Sequence, residues 1–481
     1  MIRKLTISLA VVFATIVFVA CNSDEPENTG TVNYSAGVKS FNLSEDDSVA
    51  ANLDSVFFTI DQKRGLIYNA DSLPYGTNVT RLVPVISTMT AVSLAELTVQ
   101  RAGQTDTVID YLENSTDSID FTNPVKLRLI SYDGTTERNY TIKVNVRRQQ
   151  ADTLCWSRAE RTALPSLFEE PNEQHTTASP SKVYCLTRYQ QQYSLAVSDL
   201  TENVDGGLGQ WQTRAVSFDF TPNIDSFTAT DNALYVLDNE GSLYYSTDGF
   251  QWQSCGEKLH YIYGAYHSEI VASRQEADGS WSLCTFPCGI AQPMPADMPY
   301  EKTSTSVVYG FEMTPRQQLI VVGGRLLDGT LSQDTWGFDG SSWVKIARRR
   351  MPLALESSIL VPYYTVNVDS DWTTTRYATM MLFGGKTADG SINRTVYVSS
   401  DYGVNWTEAS ALMQLPDYMP AVYCAQAVVV ESTLRNSRAS RPIEQWQCPF
   451  IYLFGGKNIN GATYNTMWCG VINRLTDQPI Q

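Results

Sequence analysis

Between residues 32 and 148, apolar and polar residues alternate over short stretches that are separated by turns. The clearest stretches are residues 55–60, 79–85, 97–99 and 140–146. A period of two residues is typical of a β-strand with one buried face. The pattern predicts an immunoglobulin-like β-sandwich over residues 32–148. Residues 147–151 are polar and without period, which places the domain boundary there.

A different pattern repeats between residues 152 and 478. An apolar strand ends in a glycine pair, a turn follows, and an aromatic strand comes next. The glycine pairs are 323–324, 384–385 and 455–456, and Trp343 and Trp406 open a further strand in the first two units. Glycine allows a strand to end in a tight turn without a Cβ clash. This order resembles the kelch repeat, which implies a β-propeller.

The number of repeats predicts six blades. Weaker units occupy residues 183–211 and 233–252, and the segment between Trp252 and Trp343 is long enough for two more. One of these is degenerate, with Trp281 on an inner strand and proline-rich residues 293–299 in place of an outer strand. The last unit lacks its outer strand, which residues 155–159 can supply by closing the ring. Seven blades remain an alternative if residues 354–379 hide another unit.

Two turns resemble the Asp-box of sialidase-type propellers. Residues 399–406 match that motif in full, and residues 246–252 match it with one residue deleted. In the motif, the aspartate accepts backbone N–H bonds across the turn and the tryptophan fills the blade. The resemblance therefore implies a folding role for Asp248 and Asp401 and says nothing about sialidase activity.

The N-terminus has the pattern of an exported protein. Arg3 and Lys4 precede an apolar run over residues 5–20, which is shorter than the roughly 20 residues of a membrane-spanning helix. This predicts a signal peptide over residues 1–20. Residues 18–21 resemble the bacterial lipobox, with Phe18 where leucine is usual, which implies a lipid on Cys21. A cleaved signal with a chance cysteine is the alternative.

Residues 21–31 are predicted to form a flexible tether. Its acidic stretch, residues 22–27, resembles the surface-export signal of Bacteroidetes lipoproteins. A lipobox, a sandwich and a kelch-like propeller together resemble an uncharacterised family of Bacteroidetes lipoproteins. That resemblance implies an outer-membrane lipoprotein, surface-exposed or otherwise facing the periplasm, and it implies no activity.

Composition excludes several classes of protein. A hydrophobic fraction of 43%, with 26 Tyr and 10 Trp, excludes a disordered chain. Removing Arg3 and Lys4 with the signal leaves 33 basic residues against 51 acidic ones, a net charge of −18. So acidic a surface repels nucleic acid and anionic membrane faces. We therefore expect no nucleic-acid partner and contact with a membrane only through the lipid.

Neither the cysteines nor the histidines form a metal pattern, so we expect no cofactor. Cys284 and Cys288 are separated by three residues, which is not a CxxC pair. His260 and His267 would point to opposite faces of one strand. The cysteines are scattered, and buried free thiols are favoured over disulfides. Apart from Cys21 they are Cys155, Cys185, Cys255, Cys284, Cys288, Cys424, Cys448 and Cys469.

No catalytic residue is predicted. There is no Gly-x-Ser-x-Gly elbow, no His-Glu-x-x-His and no phosphate-binding glycine loop. Asp369 and Asp371 could flank a glycosidic bond, but a polar loop favours solvated charges. A sialidase would need three convergent arginines, and an Arg-Ile-Pro context is absent. The arginines interpreted as solvated surface residues are Arg158, Arg188, Arg325, Arg376 and Arg394.

Binding is the favoured function. The long insertions 363–376 and 432–447 carry Trp372 and Trp446. Exposed tryptophans stack on sugars and also form protein hot spots, although both rings could instead pack against their own loops. We expect a non-catalytic recognition module whose propeller mouth binds a glycan or a protein. The alternatives are a scaffold subunit of an outer-membrane assembly and a sialidase-like glycan-processing enzyme.

Overall fold

The structure is a computed structural model. It describes residues 35–70, 72–100, 105–147, 150, 153–158, 163–200, 208, 210–289, 291–309, 317–368, 374–434 and 446–473. Side chains are described for all of these except 158, 309, 364–378, 431–449 and 473. The described part of the chain contains no α-helix, and its two short 3-10 turns are Leu53–Ser55 and Ala411–Met413. No helix in this part is long and apolar enough to cross a membrane.

The chain forms two units, and the N-terminal one contains the first eight strands. They are β1 (Val38–Leu43), β2 (Phe58–Asp61), β3 (Leu66–Asn69), β4 (Pro84–Thr88), β5 (Val92–Val99), β6 (Thr107–Asp110), β7 (Val125–Ser131) and β8 (Glu137–Lys143). One sheet has the order β2-β3-β8-β7-β5-β6, and β1 pairs with β4 in the other. Neighbours are antiparallel except for β3 and β8.

Aromatic packing contributes to the core of this unit. Phe41 of β1 is buried and meets the rings of Phe58 and Phe121 edge to face, at 4.7 and 6.4 Å. The predicted all-β character is confirmed. Six strands and two strands are, however, not the division into four and three that typifies constant-type immunoglobulin sandwiches.

The larger unit contains the remaining strands. They are β9 (Thr153–Arg158), β10 (Glu173–Ala178), β11 (Lys182–Tyr189), β12 (Gln192–Asp199), β13 (Gln212–Val216), β14 (Pro222–Ala229), β15 (Leu234–Asp238), β16 (Ser242–Ser246), β17 (Gln253–Lys258), β18 (Tyr261–Tyr266), β19 (Glu269–Gln275), β20 (Trp281–Phe286), β21 (Ala291–Pro293), β22 (Ser304–Tyr309), β23 (Gln317–Val322), β24 (Thr335–Phe338), β25 (Trp343–Lys345), β26 (Ile359–Val368), β27 (Thr374–Phe383), β28 (Tyr397–Ser399), β29 (Thr407–Glu408), β30 (Gln426–Leu434), β31 (Trp446–Phe454) and β32 (Met467–Asn473).

These strands form antiparallel sheets of four, which are numbered in chain order. Sheets 1 to 5 are β10–β13, β14–β17, β18–β21, β22–β25 and β26–β29, and sheet 6 is β30-β31-β32-β9. The first strand of each sheet contacts the first strand of the next, and β30 contacts β10. The six first strands therefore form a closed ring. β26 and β27 pair along their whole described lengths, so residues 359–368 and 374–383 belong to a single sheet.

Strand β9 completes the sixth sheet, as the sequence predicts. It pairs with β32 and places Trp156 opposite Gly470. The buried Trp156 ring meets Phe383 of sheet 5 edge to face at 5.8 Å. A Cβ on Gly470 would lie 2.7 Å from Cζ3 of Trp156. Glycine at this position thus leaves the space that the indole occupies.

The glycine pairs are required by close contacts with a neighbouring loop as well as by their own turns. Gly385 has φ +83°, and a Cβ there would lie 2.7 Å from Cβ of Ser358. Gly324 has φ +99°, and a Cβ there would lie 2.8 Å from the carbonyl oxygen of Glu301. Each pair therefore allows the loop after a second strand to contact the loop that enters the first strand of the same sheet.

The turns at 246–252 and 399–406 make the predicted hydrogen bonds. Oδ1 of Asp401 accepts the backbone N–H of Asn405 at 2.9 Å, and Oδ1 of Asp248 accepts the backbone N–H groups of Phe250 and Gln251 at 2.8 and 2.9 Å. Trp406 is completely buried between sheets. In the degenerate unit, Trp281 opens β20, which lies between β19 and β21 and is thus an inner strand as predicted. The expected loss of the outer strand is corrected, because β21 (Ala291–Pro293) pairs with β20 at that position.

Candidate ligand-binding mouth

The end of the ring at which the first strands begin is called the mouth. All six sheets contribute polar groups to it. Three groups lie on first strands, and the other three lie two residues before a first strand, in the loop that enters it. The six groups are His175, Asp225, Tyr261, Lys302, Ser357 and Cys424. Electrostatic interactions connect Asp225 with His175, Tyr261 and Cys424. The sheets therefore bring together groups that lie far apart in the sequence.

Three consecutive loops meet at the mouth through their backbones. Lys302, Ser357 and Cys424 all have positive φ, at 54°, 51° and 55°. The N–H of Ser357 donates to the carbonyl oxygen of Lys302 at 2.8 Å, and the N–H of Cys424 donates to that of Ser357 at 3.0 Å. The left-handed conformation is costly for residues with a Cβ. Its occurrence at three equivalent positions shows that the contact between loops selects it.

A basic residue directly follows each glycine pair, at Arg325, Lys386 and Lys457. Each is tied by backbone hydrogen bonds to the loop before the first strand of its own sheet. Lys386 and Glu356 exchange bonds of 2.8 and 2.9 Å, and Lys457 and Tyr423 exchange bonds of 2.7 and 3.2 Å. The repeat therefore places three cations at equivalent positions beside the mouth.

Arg325 lies in an ion network with two carboxylates. Its Nε donates to Oε2 of Glu356 at 3.0 Å, and its Nη2 makes a second bond to the same oxygen. Oε1 of Glu301 lies 3.8 Å from Nε, and Nζ of Lys302 lies 3.8 Å from Glu356. The hydrogen bonds to Glu356 raise the pKa of Arg325.

Lys457 and Asp225 form a second pair, with 3.5 Å between Nζ and Oδ2. Burial is the largest single effect on Lys457 and lowers its pKa, but Asp225 together with Cys424, Glu173 and Tyr423 outweighs it, so the pKa is raised. Burial lowers the pKa of neighbouring His175 to about 4 and raises that of Cys424. Nδ1 of His175 is buried, and it has no hydrogen-bond partner among the described residues.

Lys386 differs from the other two cations. Its Nζ lies 4.0 Å above the ring centroid of Tyr423, a cation–π contact. No carboxylate of the described residues forms a salt bridge with it. A half-buried cation held by an aromatic face keeps its N–H donors available to a ligand.

Three aromatic rings cluster beside Arg325. His260 stacks on Tyr300 at 5.1 Å and 26°, and it meets Trp281 at 4.9 Å and 87°. Trp281 and Tyr300 lie 5.5 Å apart. Nε2 of His260 lies 3.6 Å from Oε2 of Glu301, which joins the rings to the Arg325 network. His260 is exposed, and the other two rings are half-buried.

The loops that carry the cations end in exposed turns. Asp328 and Asn458 accept backbone N–H bonds within these turns, from Thr330 and Asn460, at 2.9 Å each. The residue two positions after Arg325 is Leu327, and the equivalent residue after Lys457 is Ile459. Their side chains are 46% and 57% exposed, so the rim of the mouth, formed by these turns, carries an exposed aliphatic side chain after two of the three cations.

The structure locates only part of the predicted site. Cys21 and Trp372 lie outside the described residues, and Trp446 begins β31 with an undescribed side chain. These three assignments stay predictions. The residues that converge at the mouth were not assigned to a site from the sequence. The sequence does show a basic residue after each glycine pair, and this pattern could have indicated part of the mouth. It does not show the backbone contacts between the loops.

The arginines interpreted as solvated surface residues are partly exposed and hydrogen-bonded to protein groups where their side chains are described. Arg325 lies in the mouth network. Arg188 pairs with Glu173 at 2.8 Å. Arg394 donates to the carbonyl oxygens of Met419 and Pro416 at 2.8 and 2.9 Å. The side chains of Arg158 and Arg376 are not described.

The histidines and cysteines also differ in part from expectation. His260 and His267 flank β18 at its two ends and do not share a strand. Among the described cysteines, all are free thiols; Cys185 and Cys284 are buried, while Cys288 is exposed. No group of three or more metal-ligating side chains occurs in the described residues.

A cavity of about 520 Å³ lies between β9 and residues 411–418. Tyr418 and Trp156 both line it, and the hydroxyl of Tyr418 donates to the carbonyl oxygen of Trp156 at 2.8 Å. This cavity lies beside the outermost strand of sheet 6, and none of the mouth residues lines it.

Two family models match the chain. Residues 150–479 match one described as the DUF6242 beta propeller domain, and residues 28–144 match one described as the N-terminal domain of DUF6242, a domain of unknown function. No curated protein matches the chain.

Two solved structures that are similar to this chain are matched over nearly their whole length. The N-terminal domain of Nup159 has 12% identity and a TM-score of 0.30, covering 68% of this chain and 98% of that chain. The WD40 domain of Toxoplasma gondii coronin has 8% identity and a TM-score of 0.33, covering 69% and 94%. At these values the similarities carry no functional information.

Proposed function

The chain belongs to the DUF6242 family, and on that premise we propose that it is a non-catalytic recognition module whose β-propeller binds a glycan or a protein at the mouth. The observation behind this proposal is the convergence of polar groups from all six sheets at one end of the ring. Propellers gather ligands in such central depressions. The contacts between first strands favour six blades.

The location is a proposal that rests on the sequence. A signal peptide, a lipidated Cys21 and an acidic tether would attach the protein to the outer membrane and display it at the cell surface. The immunoglobulin-like assignment of the N-terminal unit is proposed in the same sense, as a β-sandwich between tether and propeller. Lipoproteins resemble one another in carrying several acyl chains, and more than one chain is needed for stable anchoring.

Location can be tested with the full-length protein and its Cys21→Ser variant. We expect the full-length protein to enter the detergent phase on phase separation and the variant to stay in the aqueous phase. Protease treatment of intact cells should then cleave the anchored protein if it is displayed outside. Equal partitioning of both forms would refute the lipid anchor.

Binding can be tested with the mature chain carrying Cys21→Ser, which keeps it soluble. It would be incubated with a panel of glycans, with retention scored on an array and cleavage scored by mass spectrometry. We expect retention without new masses, and Lys386→Ala should reduce it, whereas Lys258→Ala, outside the described mouth contacts, should not. New masses would refute the non-catalytic assignment.

A protein partner is the second candidate, favoured by Leu327 and Ile459. Aliphatic side chains at equivalent rim positions are suited to contact an apolar surface. A scaffold role in a membrane assembly would use the same residues. If no glycan is retained, crosslinking in cells from a photoreactive residue at position 459 should capture a defined partner, and Ile459→Asp should abolish its capture.

A further inference from the structure

We propose that the mouth binds an uncharged, hydroxyl-rich glycan, with a sugar ring packed against His260, Trp281 and Tyr300 and its hydroxyls bonded to the Arg325 network. This inference deepens the proposed function and rests on it. It names the chemical class of the ligand and the part of the mouth, between sheets 3 and 4, that would hold it.

The aromatic cluster provides the apolar half of such a site. The three rings come from three separate segments, the residue before β18, the first residue of β20 and the loop before β22. They converge within 4.9–5.5 Å of one another between centroids. The His260 side chain remains 36% exposed. Aromatic rings combine a large apolar face with a polar edge, which suits a sugar ring with C–H groups on one face.

The Arg325 network provides the polar half. Guanidinium presents five donors and a carboxylate only acceptors, so Arg325 with Glu301 and Glu356 offers both within one connected group of side chains. Sugar hydroxyls donate and accept, and can use donors and lone pairs that the ion pairs leave free. Because the charges are already compensated by one another, the fixed network needs no counter-charge from its ligand.

The charge around the mouth argues against an anionic ligand. Of the four cations described above, three lie in direct contact with Asp225, Glu301 or Glu356. Asp328 and Asp389 add two carboxylates in the turns of the same loops. An anion bound beside Arg325 would approach Glu301 and Glu356 within a chain whose mature net charge is −18, and like charges repel at such distances.

The histidines of the chain can report where a ligand binds. The chain has three histidines: His175 at the mouth, His260 in the aromatic cluster, and His267 at the other end of β18. His260 and His267 each have a carboxylate within 4.0 Å and an aromatic neighbour. They differ in the end of the ring on which they lie, so His267 is a matched control.

The experiment titrates the mature Cys21→Ser chain, labelled at histidine, with neutral hexasaccharides of glucose, xylose and mannose, and with oligogalacturonate and a heparin-derived hexasaccharide. We expect the His260 ring resonances to shift with a neutral sugar while those of His267 stay unchanged. His260→Asn should weaken binding at least tenfold, and His267→Asn less than twofold. Asparagine tolerates the positive φ of residue 267.

The outcomes separate this inference from the proposed function. Tighter binding of galacturonate or heparin fragments than of neutral sugars would refute the ligand class and retain the recognition function. Neutral-sugar binding without a shift at His260 would refute the site alone. Binding of no sugar would refute the inference, and the crosslinking experiment at residue 459 then decides the function. Trp281→His is a second variant and should weaken binding at least tenfold. Its thermal unfolding temperature, compared with that of the parent, shows that the variant is folded.

Discussion

The indole N–H of Trp406 donates a hydrogen bond of 2.9 Å to the hydroxyl of Thr335, 71 residues earlier in the chain. Both side chains are completely buried, and they belong to neighbouring sheets, 5 and 4. The turn around Asp401 delivers the indole to this position: the N–H of Gly403 donates to Oγ of Ser399 at 2.8 Å, which closes the turn. One local turn thus fixes a contact between two sheets.

Removing this bond should destabilise the protein more than the loss of one average hydrogen bond. In Thr335→Val the buried indole N–H has no acceptor, so we expect a loss of about 1–3 kcal/mol in the free energy of unfolding. Urea unfolding followed by circular dichroism measures it. Thr407→Val, at an exposed strand position, should stay within about 0.5 kcal/mol. Equal effects of the two variants would contradict the inter-sheet role.

The closure of sheet 6 can be tested at Gly470 and Trp156. Gly470→Ala places a methyl group 2.7 Å from Cζ3 of the indole, and overpacking of this kind costs about 1–3 kcal/mol. Trp156→Phe removes the outer ring that the methyl group meets. The double variant should therefore lose less stability than the sum of the single ones. Additive losses in a double-mutant cycle would mean that the two positions do not meet.

Thiol labelling should distinguish the cysteines by burial. Burial raises the pKa of Cys185 to about 12 and that of Cys284 to about 11, and only thiolates react rapidly. In the native mature Cys21→Ser chain, exposed Cys288 should react with N-ethylmaleimide first. Labelling of Cys185 and Cys284 should require denaturant. The hydrogen bond with Glu269 raises the pKa of Cys288 as well, so its rate should stay below that of free cysteine. Peptide mapping by mass spectrometry identifies the sites, and early labelling of Cys185 would contradict its burial.

The sequence predicted second and third strands well, because those strands lie in the interior of each sheet and their apolar side chains pack between neighbouring sheets. Residues 319–322 and 381–383, both taken from the glycine-pair pattern, lie in β23 and β27. The closing strand β9 was predicted from the Trp156 segment alone. These features depend on local pattern and on the need to satisfy an open strand edge.

The first strands and the mouth could not be predicted in the same way. β10 and β14 contain several polar residues, among them Gln174, His175 and Asp225, so neither shows a clear two-residue period of apolar side chains. Their partners lie on other sheets: Nε2 of Gln174 donates to Oε1 of Gln426 at 2.8 Å, across 252 residues. Trp372 and Trp446 are conspicuous in the sequence because they are tryptophans in long loops. Trp281 and Tyr300 lie near short turns, which give no such signal.

His175 should make stability depend on pH. Burial lowers its pKa from 6.5 to about 4, with Asp225 opposing this shift and Lys457 adding to it. The unfolded chain therefore binds this proton more readily than the folded one. Above pH 6.5 both states are neutral, and stability should fall as the pH drops from 6.5 to 4, by roughly 3 kcal/mol when the shift is converted.

The variant His175→Gln isolates this effect. We expect its unfolding free energy to change less than that of the parent between pH 6.5 and 4, so that the difference between the two curves changes as the pH falls. The Asp389 carboxylate titrates in a separate window: its pKa is lowered from 3.8 to about 2 by hydrogen bonds from Thr387 and Ser391, and its contribution is lost only below pH 4. Urea unfolding at pH 7, 6, 5 and 4.5 measures the curves. Parallel curves over this range would show that His175 is protonated equally in both states, and burial would then not control its charge.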